Sequence, residues 1–205
     1  MHGQRIRVHL ALSNIPQPKS LVLAVDASVS TDDIRSGGLG YIVNNGLYGI
    51  CGRYQYDHQV RKEGIAITEL EAVLFGLAGI QEAGLDDQRV HILSDSQEVV
   101  KIILSWQKGT IIYPPGYINE SNRPDGSMLS RLAHRFSSEP KRYQIQWTKG
   151  HRGHRLNEAA HYLAGYGRMV FERRMKRQEA LALGQQEAKK ALKTKKPHKP
   201  SPRWR

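Results

Sequence analysis

The sequence predicts an α/β domain whose sheet begins as an antiparallel meander, continues through parallel crossovers, and is flanked by helices. Three observations carry this. Residues 21–28 read LVLAVDAS, an unbroken apolar run with β-branched residues that marks a buried strand. Two more strand-like runs follow at 39–46 (LGYIVNNG) and 47–57 (LYGICGRYQYD), and the Asn-Asn-Gly between them signals a hairpin because Asn and Gly tolerate positive φ. Helical periodicity at 68–83 then leads into a short apolar strand and a second helix. Strand–helix–strand alternation of this kind implies parallel pairing through a crossover.

Taken in order, residues 1–18 read as an N-terminal extension and linker ending in a proline-containing stretch, SNIPQPKS. Alternation in RIRVHLAL could form a strand at Ile6–Leu12, to which no function is assigned. After the strand bearing Asp26 comes a polar loop, VSTDDIRSGG, and then the hairpin. TELEAVLFGLAGIQEA at 68–83 places Leu70, Val73, Leu74, Leu77 and Ile80 on one helical stripe. Thr68 and Glu71 fit a capping box at its start, which leaves Glu69 without such an explanation. RVHILS at 89–94 is a buried strand running straight into Asp95, with a helix to about Trp106 beyond. Asp95 thus lies at the carboxyl end of a strand, where open α/β sheets place their ligands. Residues 107–127 form a long irregular loop rich in Gly, Pro, Asn and Asp. A helix at about Met128–Phe136, a strand within 142–150, a helix from Asn157 to at least Val170, and further helix over Glu172–Leu192 complete the reading. The last twelve residues, TKKPHKPSPRWR, are too charged and proline-rich to pack.

Charge divides the chain unevenly. The formal net charge is +12, but residues 173–205 hold twelve Lys/Arg against two Asp/Glu, and the other 172 residues hold 19 against 17. The expected organisation is therefore a nearly neutral domain at 19–172 and a basic C-terminal tail at 173–205. A tail of that charge attracts nucleic acid without regard to sequence, although it would serve equally as a solubilising extension. One cysteine, Cys51, excludes an internal disulfide and a cysteine-based zinc site, which fits a reducing compartment. No apolar stretch is long enough to span a membrane, and the first residues are too short and polar for a signal peptide, so the expected location is cytoplasmic.

Three acids stand out: Asp26 within a strand, Glu69 in a helix's first turn, and Asp95 at a strand's end. A carboxylate inside an apolar run costs several kcal/mol to bury unless its charge is paired. Converging carboxylates also repel one another, and a shared divalent cation removes that conflict. Hard oxygen donors suit Mg²⁺ or Mn²⁺, and two such ions would activate a water and stabilise the leaving oxygen in phosphodiester hydrolysis. Each acid also has a plain structural reading. Asp95 in SDSQ could be a helix N-cap, and both Ser94–Gln97 and Asp95–Glu98 match capping-box spacing. The helix dipole alone favours a glutamate at position 69.

With AVDAS, GGLGYIV, TELEA, LSDSQ and WTKGHRGHRLNEAAHYLA on the page, the chain resembles a type 1 ribonuclease H over Lys19–Arg168. The last segment is the most specific, with two His-Gly units and an Asn-Glu pair at fixed spacing. The resemblance implies a ribonuclease H-like fold, a five-stranded mixed sheet flanked by helices, here extended by a basic helical or disordered tail. It implies two-metal cleavage of the RNA strand of RNA–DNA hybrids, with Asp26, Glu69 and Asp95 as metal ligands. The family's fourth aspartate falls on His161. Neutral imidazole is softer than carboxylate, so Mn²⁺ would be favoured over Mg²⁺ if it binds the ion. Three readings are open there: His161 is a substitute ligand, Glu158 reaches in instead, or catalytic competence is lost. The first is preferred, since the other acids and the histidine loop are intact.

The resemblance further gives His151 a role in proton transfer and product release, and His154 a structural one. Ala27, Ser28, Gly38 and Ser96 would approach the RNA strand, and Lys149 and Arg152 would contact phosphates. Trp106 and Lys108 match the start of the family's basic substrate-handling helix, but the following loop is not basic. The family's usual state is monomeric. Two other functions remain open. A catalytically weak hybrid- or double-stranded-RNA-binding module would bind without metal-dependent turnover, and a structure-selective DNA nuclease would need similar acids.

Overall fold

The computed structural model describes residues 5–15, 17–30, 36–54, 65–117, 127–150 and 154–193. Six strands form one mixed sheet: β1 (Ile6–Ala11), β2 (Leu21–Val29), β3 (Ser36–Val43), β4 (Leu47–Tyr54), β5 (Val90–Ser94) and β6 (Tyr143–Trp147), in the order β1-β4-β3-β2-β5-β6. β2, β3, β4 and β1 pair antiparallel, with Gly46 at φ 93° in the predicted hairpin turn. β5 and β6 add in parallel beside β2. The expected count of five is corrected to six, because the stretch read as an extension supplies β1. Ile6 is fully buried on one face, and His9 on the other hydrogen-bonds Tyr41 Oη at 2.7 Å.

Helices cover both faces. On one lie α1 (Ile65–Glu82), α2 (Gln97–Gln107) and α3 (Met128–Ser138), packed over Leu23, Val25, Tyr41 and Ile92. On the other lie α4 (Arg155–Phe171) and α5 (Arg177–Leu192), over Ala24, Ile42 and Ile50. Alternation along β2 therefore sends Leu21, Leu23 and Val25 toward α1, and Ala24 and Asp26 toward α4. The helix predicted from 68 begins at Ile65, so Thr68 sits inside it and the capping box does not form. Glu71 instead pairs with Arg53 Nη2 at 2.9 Å. Trp106 is core, its indole N–H donating to Ile112 O at 2.6 Å, and is not available to handle substrate.

α4 lies unusually close to the sheet. A Cβ at Gly38 would strike Ala164 O and Arg168 N, and one at Gly40 would strike Ala160 O and Ala164 N. Gly38 and Gly40 pair directly with Ser28 and Asp26 on β2. The glycines thus form a floor that lets the helix backbone descend beside those two side chains. Gly38, expected at the RNA strand, is covered by α4, so its missing side chain serves packing. Of the helix expected over 172–192 only Arg177 onward forms, as α5, because the chain turns after Phe171 at Arg173, whose φ is 59°. Its buried Ala180, Gly184 and Ala188 seat it on α4 and β4.

Candidate active site

The parallel pairing of β2 with β5 ends at Ala24 and Leu93, and Asp26 and Asp95 each lie two residues further along. They are therefore neighbours at the carboxyl edge of the sheet. Glu69 comes from the second turn of α1, across the same edge. One ligand oxygen from each acid lies within 4.8 Å of the other two. The N-cap question is resolved in favour of Ser96, whose Oγ accepts from Val99 N at 3.3 Å. Asp95 has no capping duty. Its carbonyl accepts from Trp147 Nε1 at 3.0 Å, which fixes the backbone that carries it.

The electrostatics are those of a site missing positive charge. Burial, and then the charges of Asp26 and Asp95, hold the Glu69 carboxyl well above the usual carboxylate range, against the opposing pull of the Ala27 N–H. Glu69 Oε2 is buried and has no hydrogen-bond partner. Burial also raises Asp26, with Asp95 adding to the rise and a hydrogen bond from His161 opposing it. An orphaned oxygen among three converging carboxylates is the donor set of a hard divalent cation. The residues fit such an ion.

His161, on the second turn of α4, places Nδ1 2.6 Å from Asp26 Oδ2. That hydrogen bond, partly offset by desolvation, raises the imidazole above its ordinary value. The mutually close ligand atoms are those of the three acids, and among the described residues neither His161 nor Glu158 joins them. His161 therefore meets the cluster through Asp26. Two turns along the same helix, Arg168 Nε donates to Ser28 Oγ at 3.0 Å and Nη1 pairs with Glu172 Oε1 at 2.9 Å. Ala27 turns its N–H toward the carboxylates, and Lys149 is exposed just past β6. His154 is the N-cap residue of α4 without a side-chain capping bond. His151 and Arg152 lie outside the described residues.

Two residues escaped the sequence reading. A Cβ on Gly150 would come within 2.8 Å of Asp95 Oδ2, so the segment after β6 lies directly on that carboxylate. Arg168 follows His161 by seven residues, a spacing that puts both on one helix face and could have flagged it.

Comparison with known proteins adds a family. The model for RNase H matches residues 18–168. No curated protein matches. Among solved structures, the native prototype foamy virus protease–reverse transcriptase is 20% identical, with 76% of this chain and 22% of that chain covered and a TM-score of 0.48. The chain thus spans about a fifth of that protein. LC9-RNase H1, a type 1 RNase H with the type 2 active-site motif, is 16% identical over 78% of this chain and 76% of that one, with a TM-score of 0.41. The solution structure of the PFV RNase H domain is 19% identical over 74% and 94%, with a TM-score of 0.39.

Proposed function

This chain belongs to the RNase H family, and on that premise we propose that it hydrolyses the RNA strand of RNA–DNA hybrids. The observation that carries the reading is the trio Asp26, Glu69 and Asp95, with oxygens within 4.8 Å of one another and Glu69 Oε2 buried without a partner. These three would hold divalent cations, Mg²⁺ or Mn²⁺. When bound, a pair of such ions supplies activation of the attacking water and stabilisation of the leaving 3′-oxygen.

The chain's own groups do the rest. Asp26 belongs to the cluster and also meets His161, whose imidazole opposes the rise that burial imposes on that carboxyl. His161 is the substitute for a fourth acid, either through Asp26 as it stands or as a ligand after rotation. A proton on His161 is retained to higher pH than on a free imidazole. His151 assists proton transfer and product release from the segment that follows Gly150. Substrate contacts fall to the backbone at Ala27 and Ser28, to Ser96, and to the cations Lys149 and Arg152. A hybrid presents 2′-hydroxyls on one strand only, which such backbone-close contacts can read. The basic residues beyond α5 add non-specific affinity.

The test is cleavage of a labelled hybrid in Mg²⁺ and separately in Mn²⁺, with Asp26→Asn as control. Cleavage in either ion, lost in the control, is expected, with Mn²⁺ preferred. Tight hybrid binding without turnover in both ions would replace the hydrolase with a binding module.

A further inference from the structure

Outside the carboxylate cluster, a groove of about 500 Å³ runs between α2 and the end of the edge strand β6. Its floor is apolar and open to solvent: Trp147 is 40% exposed, Leu104 40% and Ile112 36%. Lys101 and Lys108, both exposed, line it, and no carboxylate among the described residues does. Exposed apolar surface collected in one concavity marks a binding site more often than chance does. The core has no use for these side chains, since Val99, Ile102, Ile103 and Trp106 already form the buried face of α2.

The groove opens at the catalytic edge. Trp147 donates its indole N–H to the carbonyl of Asp95, so its ring is held against the residue that carries a cluster carboxylate. Gln97, the first residue of α2, stands at the mouth between Asp95 and the groove. A strand passing Asp95 would therefore run onto an aromatic ring, an aliphatic floor and two cations. A flat apolar surface with flanking lysines is the chemistry of single-stranded nucleic acid: bases stack, phosphates pair, and no base edge is read.

We propose that this groove binds single-stranded nucleic acid running on from the hybrid, one base against Trp147 and phosphates at Lys101 and Lys108. The proposal rests on hybrids being the substrate. It makes the preferred substrate a hybrid with an overhang, such as a duplex next to a flap or gap.

The experiment measures binding of the full chain by fluorescence anisotropy in EDTA, where nothing is cleaved. The ligands are a blunt hybrid and the same hybrid extended at either end by a short oligothymidine tail. Wild type is expected to bind one tailed form at least about tenfold more tightly than the blunt one, from one base stack and the phosphate contacts beside it. The variant Lys101→Ala should lose part of that advantage and bind the blunt hybrid as wild type does. Its salt dependence on the tailed form should be shallower by about 0.7 in log–log slope, the contribution of one single-strand phosphate contact. Equal affinity of wild type for blunt and tailed hybrids would overturn the proposal. So would a tail advantage left undiminished by Lys101→Ala, which would assign single-strand binding to the basic C-terminus. Neither outcome touches the hydrolase reading, which stands or falls on cleavage of the blunt hybrid.

Discussion

Glu69→Gln tests the metal centre without measuring activity. The three acids bring oxygens within 4.8 Å, and two full charges at that distance repel by about 3 kcal/mol at an effective dielectric constant of about 20. Burial and the neighbouring charges push the Glu69 carboxyl upward, so the folded protein favours its protonated form more than a free glutamate does. The sign follows from linkage. The unfolded chain loses that proton near its ordinary value of about 4.3, whereas the folded state holds it to higher pH. For this group, cation-free stability is therefore fullest below about pH 4.3 and falls as pH rises through the folded value. An amide of the same shape removes the charge, so Glu69→Gln should be more stable than wild type in EDTA at pH 8, by about 1–3 kcal/mol. For a chain of this length that is roughly 2–10 °C in Tm, shrinking toward pH 5. Adding Mg²⁺ or Mn²⁺ should reverse the order. Wild type gains about 2.7 kcal/mol at a hundredfold excess over Kd, and the variant gains much less. Thermal melts at the two pH values, with and without cation, provide the readout. A variant less stable than wild type in EDTA at both pH values, or a wild type indifferent to cations, would refute the reasoning.

Two further substitutions probe how α4 serves the site. His161→Ala should lower hybrid cleavage by about 10–100-fold, the usual loss when a group that orients a metal ligand is removed, and His161→Asp should shift preference toward Mg²⁺. Because its hydrogen bond to Asp26 raises the imidazole, the stabilisation from the proton on His161 is lost as pH rises from about 6.5 through the folded value, as long as Asp26 is ionised. Melts of His161→Ala against pH should lack that segment. Gly38→Ala drives a methyl into the α4 backbone and should cost about 1–3 kcal/mol, seen as a lower denaturation midpoint with unchanged m.

The meander, its hairpin turn and the parallel crossover were legible because each depends on local chemistry: an apolar run, an Asn-Asn-Gly turn, a helical stripe. The three acids were legible for a related reason, since each interrupts or ends an apolar segment without a local partner. What sequence could not supply was anything set by chain segments far apart. Residues 6–11 look like half a strand alone, and they become β1 only because β4 offers an edge and Tyr41 offers a hydroxyl to His9. The start of α1 was misjudged because Thr68 and Glu71 have capping-box spacing, whereas Glu71 is engaged by Arg53 from β4. Capping spacing at Ser94–Gln97 and Asp95–Glu98 left two residues in competition for a role that neither takes, because Ser96 caps the helix.

Glycine explains how the imidazole of His161 reaches Asp26. The backbone of α4 rests on Gly38 and Gly40, the direct neighbours of Ser28 and Asp26, so side chains from this helix arrive at β2 from very close range. From that distance His161 spans to Asp26 Oδ2 at 2.6 Å and Arg168 spans to Ser28 Oγ at 3.0 Å, two turns apart. A carboxylate in the place of His161 would add a fourth negative charge beside three that already repel. The imidazole instead donates to one of them, and the metal-free site loses part of its strain. An imidazole also adds no negative charge to hold cations, so on the proposed reading stability without the ion and affinity for it would be traded at one residue. The cation dependence of stability, and of the proposed cleavage, is therefore expected to respond most to substitution at position 161.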